Sequence, residues 1–138
     1  MSTKPGLYRT SIEVRGDGIV GAPTVTLDLV VDAASGEVFG RGRIQQAVAP
    51  PGGDSEIPSV HGQIHHTGLG QDTLLVALSG HYAIPFGPTM PGQTECMLTA
   101  ALAIDASWNG HGMFHYGPGG RSFCRDASVT SSGGSAAG

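Results

Sequence analysis

The stretch Thr24-Val25-Thr26-Leu27-Asp28-Leu29-Val30-Val31-Asp32 decides the fold. Val25, Leu27, Leu29 and Val31 alternate with Thr24, Thr26 and Asp28, the period of a strand that is buried on one face and wet on the other. Ala33-Ala34-Ser35-Gly36 then supplies a short turn in which the glycine is free to take positive φ, and residues 37 to 47 return as the second arm of a hairpin. In that pairing Arg41 and Arg43 stand on the wet face opposite Thr26 and Asp28, as a solvated charge ladder or as half of an anion site.

The same period runs outward from the hairpin. Residues 7 to 14 read as a strand before it. After it, Ala49-Pro50-Pro51-Gly52-Gly53-Asp54 breaks the chain into a loop, because prolines have no N–H for a ladder. Val60, Gly62 and Ile64 then alternate with Ser59, His61, Gln63 and His65. Residues 73 to 83 place Leu74, Val76, Leu78, Gly80 and Tyr82 in one phase, while Leu75 and Ala77 make the other phase apolar enough to be partly covered as well. Residues 94 to 105 carry Cys96, Leu98, Ala100, Leu102 and Ile104 in phase. The favoured turn is Asp105-Ala106-Ser107, with residues 108 to 116 as the next strand; Asn109-Gly110, a strong two-residue hairpin signal, is the competing turn. A last strand runs over residues 121 to 127. Helical periodicity is nearly absent, and the 23 glycines and 9 prolines punctuate turns throughout.

Short sequential strands joined by tight turns favour an antiparallel meander, since parallel pairing needs crossovers longer than these loops. The expected fold is therefore all-β: seven or eight antiparallel strands in a closed or nearly closed barrel, with a β-sandwich as the alternative. One β domain spans residues 6 to 129, residues 1 to 5 form a flexible N-terminus, and the Ser/Gly-rich residues 130 to 138 form a disordered tail. Gly40, Gly42, Gly62, Gly80, Gly110 and Gly112 fall on the inward phase. They relieve crowding in a small coiled barrel, mark bulges, or widen the interior for a ligand.

Composition removes several functions. Seven Lys plus Arg against eleven Asp plus Glu leave a net charge of −4, without the basic surface that nucleic acid requires. No segment is apolar and long enough for a transmembrane helix or a signal peptide of the usual kind, which makes a cytoplasmic location the expectation. Cys96 and Cys124 are expected as reduced, structural thiols; a meander separates their backbones by two inter-strand spacings, about 9.5 Å, too far for a disulfide.

Six histidines in a chain whose single lysine is Lys4 raise the question of a metal. His61 and His65 share a face, as do His111 and His115, but four residues along a strand span about 13 Å, so neither pair holds one ion. A site would need different strands, as in His65 with His81 or His115; surface histidines on the polar phase are the preferred reading, and no cofactor is expected. His66 falls on the inward phase, as a core histidine would. No GxSxG elbow is present, no carboxylates are paired by spacing, and the Gly-Pro-Gly-Gly of residues 117 to 120 lacks the Lys-Ser/Thr of a phosphate loop.

The run Gly21-Ala22-Pro23-Thr24-Val25-Thr26-Leu27, then Gly40-Arg41-Gly42-Arg43-Ile44-Gln45-Gln46-Ala47 and Pro50-Pro51, resembles an uncharacterised bacterial family, domain of unknown function 1842, over about residues 6 to 117. The resemblance implies a bacterial origin and a stand-alone β domain with no assigned activity or catalytic residues. The reading that follows is a non-enzymatic binding or protein-interaction module whose partner is a protein or a small molecule. A homo-oligomer joined through an exposed edge strand is included in that reading. The alternative is a small-molecule carrier whose ligand lies among Tyr82, Trp108, Phe114 and Tyr116; an enzyme ranks third.

Overall fold

A computed structural model describes residues 6–16, 22–46, 53–66, 74–87 and 89–131. Eight antiparallel strands follow one another around a closed barrel: β1 (Leu7–Gly16), β2 (Thr24–Asp32), β3 (Glu37–Gln45), β4 (Asp54–His66), β5 (Leu74–Pro85), β6 (Gln93–Ile104), β7 (Gly110–Tyr116) and β8 (Ser122–Ser131). Each strand pairs with its neighbours in sequence, and β1 closes on β8 from Ile12↔Ser131 to Gly16↔Ala127. The barrel, not the sandwich, is the architecture.

Period two builds the core. Val25, Leu27, Leu29 and Val31 are buried, together with the inward residues of the other strands, and Phe114, Ile12, Leu27, Leu29, Ile57 and Leu98 are the largest fully buried side chains. The hairpin register is the expected one, with Thr26 facing Arg43 and Asp28 facing Arg41. Arg43 forms ion pairs with Asp54 and Glu56, and Asp28 accepts a hydrogen bond from Ser11. Charges such as Arg9, Glu13, Arg15, Asp28, Arg41 and Arg43 lie on the outer phase, the reverse of a bilayer-spanning barrel with its apolar outer band.

The inward glycines answer to crowding. A Cβ at Gly62 would land on the Ala77 carbonyl of β5, and one at Gly112 would meet the Ala101 carbonyl and, at 2.9 Å, Leu102 Cα of β6. Strands coil so tightly at these points that the neighbouring backbone fills the space of a side chain.

The structure corrects several expectations. The turn after β6 spans residues 105–109, and Gly110 opens β7, so Asn109-Gly110 is not the turn pair. Asp105 organises it: its carboxylate accepts from Ser107 N at 2.8 Å and Asn109 N at 3.1 Å, while its carbonyl accepts from Trp108 N. Trp108 is therefore a turn residue, not the first of a strand. It sits at φ 65° with its side chain buried and its Nε1 donating to the Tyr8 hydroxyl at 3.2 Å. His66, placed in the core by phase, is exposed, because β4 runs out of the barrel end there.

β4 begins at Asp54, five residues before the expected start, and carries Pro58 at a bulge opposite Gly40/Gly42, where a missing N–H is tolerated. β8 runs on through Thr130 and Ser131, which pair with Glu13 and Ile12; residues 132–138 and 1–5 lie outside the described residues. Each strand is laddered to a neighbour on both sides, the β1–β8 ladder covering Ile12–Gly16 of β1 and Ala127–Ser131 of β8.

Candidate functional site

The predicted aromatic set is divided. Tyr82 is buried, its hydroxyl accepting from Gly117 N at 2.9 Å, and Phe114 lies 5.6 Å from the half-buried Tyr116 ring at 45°. These three gather toward the end of the barrel where β7 stops. Trp108 closes the other end, six residues of strand away along β7, about 20 Å. All four act as core or plug. Burial pushes the Tyr82 phenol above its ordinary value, partly offset by the Gly117 N–H, and burial likewise pushes the Cys96 thiol up against the hydrogen bond from Tyr82. Cys96 and Cys124 are both buried, and no disulfide joins them.

The histidines stay apart. His65, His81 and His115 lie on β4, β5 and β7, facing Leu75, Ser59 and Thr99 across the ladders, and no three of His, Cys, Asp and Glu come together among the described residues. His115 instead packs on Phe123, with ring centroids 4.5 Å apart, and its Nδ1 lies 3.3 Å from the Gly120 carbonyl.

What the structure does assemble is an apolar groove on the outside of β5 to β8, with a volume of about 670 Å³. Register explains it. Leu75 faces Ala103, which faces His111; in the adjoining row Ala77 faces Ala101, which faces Met113. Alanines therefore form the floor, while Leu75 and Met113 rise on opposite sides of it, 46% and 43% exposed. Nothing in the described chain covers this second apolar face of β5.

A bulge closes the groove on the β8 side. Gly112 pairs with Ala127 and Phe114 with Cys124, so three residue steps on β8 match two on β7. Alternation fails there, and the consecutive residues Arg125 and Asp126 both turn outward beside Met113. Neither side chain forms an ion pair among the described residues. The groove thus joins an apolar floor to one positive and one negative group, with His65 and His111 at its margins.

Sequence reasoning reached part of this site, since the apolar outer phase of Leu75 and Ala77 was visible. It missed Met113, Ala101 and the charged bulge: which strands adjoin, and in what register, is not written in any one of them.

No curated protein matches the chain. The family model for "Domain of unknown function (DUF1842)" matches residues 5–121, which covers β1 to β7 and leaves the closing strand β8 beyond its end. The chain belongs to the DUF1842 family.

Proposed function

We propose that the protein is a non-enzymatic interaction module that holds a protein partner on the outer face of β5 to β8. One observation carries this reading: an apolar groove with an alanine floor stands uncovered by any described residue, on a barrel with its own buried core. Alanine, leucine and methionine side chains give the floor and its flanks apolar contact area, and a shallow open face suits a protein surface better than an enclosed small molecule. Unpaired charges at the bulge add orientation to apolar contact. The carrier alternative, with a ligand among Tyr82, Trp108, Phe114 and Tyr116, has less support because these side chains occupy the interior themselves.

A neutral apolar reporter dye, Nile red, tests the face at sub-micromolar chain concentration. The native protein is expected to enhance dye emission, and Ala101→Arg, which puts a charge in the floor, to reduce that enhancement severalfold at an unchanged melting temperature. Dye uptake that Ala101→Arg leaves intact and that shifts Trp108 emission would instead place the binding site inside the barrel.

A further inference from the structure

We propose that the partner on this face is a second copy of the chain, packed face to face about a two-fold axis; this rests on the reading just given. The face carries both halves of a self-complementary contact. Leu75 and Ala77 are outward neighbours on β5, one large and one small, and Ala103 and Ala101 lie beside them on β6. A two-fold axis lying across the strands between these rows sets Leu75 over the partner's Ala77, and the partner's Leu75 over Ala77. Ala101 then meets the partner's Ala103, and the small floor lets the sheets approach to about 10 Å or less.

Charge points the same way. Arg125 and Asp126 are the two formally charged residues lining the groove, and they are adjacent. The bulge that holds them lies opposite Met113, between Gly112 and Phe114, so it stands to one side of the axis, about one residue step or roughly 3.3 Å from it. Across that axis Arg125 comes within side-chain reach of the partner's Asp126, and the reverse contact follows by symmetry, as an isologous interface requires. A positive and a negative group side by side cannot complement a uniformly charged surface, but they complement a rotated copy of themselves.

Sedimentation equilibrium of the full chain over a wide concentration range tests this. The expected mass rises with concentration from 14.0 kDa toward twice that value. Ala101→Arg weakens association by roughly tenfold or more. Arg125→Asp and Asp126→Arg, each now repelling its own copy, remain monomers, whereas an equimolar mixture of the two variants forms a heterodimer. Wild-type chain that stays at 14.0 kDa to millimolar concentration overturns the proposal. In that case, dye uptake lost in Ala101→Arg leaves the interaction face standing with a different partner, while absent dye uptake removes the face as well. A dimer that Ala101→Arg and the charge variants leave unchanged also overturns it, since the contact then lies elsewhere.

Discussion

Single residues in this barrel are fixed by what their neighbours leave free. Gly62 has no room for a Cβ because the Ala77 carbonyl occupies it. Gly62→Val should therefore cost about 2–4 kcal/mol in chemical denaturation, mostly through displaced backbone; an unchanged midpoint would mean that the strands are not so closely coiled. Trp108 is the opposite case, a large side chain held at φ 65°, where a residue with a Cβ is strained. Its burial and its bond to the Tyr8 hydroxyl compensate. No sequence rule places a tryptophan at positive φ, which is why the strand after β6 reads two residues too long from its N-terminal side. His66 was misread for a related reason: phase predicts direction, but only position along the barrel decides whether inward still means buried.

Elements were more legible than residues. β2 and β3 pair as read, with Arg41 opposite Asp28 and Arg43 opposite Thr26, because strict alternation on both arms and one short turn leave a single register. Bulges were legible in part: Gly40, Gly42 and Gly112 stood among the glycines read as bulge markers, and the register shifts fall at them, but the outward turn of two consecutive charges on β8 was not. Arg125-Asp126 interrupts the alternation of β8 and looks like the end of a strand, yet the strand continues to Ser131. The β6–β7 turn depends on Asp105, whose carboxylate accepts two backbone N–H groups. Asp105→Ala should lower stability by about 1 kcal/mol, whereas Asp105→Asn, which keeps the acceptor oxygen, should lose less. Equal losses in thermal melts of the two variants would show that the turn does not rely on this acceptor.

At the scale of the molecule, the interior and the exterior do different work. Cys96 and Tyr82 are buried as neutral groups, each held above its ordinary value, 9.0 for the thiol and 10.0 for the phenol, chiefly by burial. As pH rises the unfolded chain releases these protons first, so their contribution to stability is complete below about pH 9 and declines from there through the raised folded values. Melting temperatures should be insensitive to this pair at neutral pH and fall in the alkaline range; Cys96→Ala should remove the earlier part of that alkaline fall, and a wild-type profile flat through the alkaline range would contradict the burial. On the outside, β5 to β7 present an apolar surface that the barrel does not need for its own core. The sequence carried half of that message, in Leu75 and Ala77 on the second phase of β5; the other half required closure, which sets Ala101 and Met113 beside them.

The most direct measurement is a dilution series followed by methyl NMR, with alanine and methionine methyl groups labelled. The methyl resonances of Ala77, Ala101, Ala103 and Met113 should move with chain concentration, while that of the buried Ala100 stays fixed. Concentration-dependent shifts that spare the outer four and fall on other faces of the barrel would contradict the account, as would a spectrum that does not change at all.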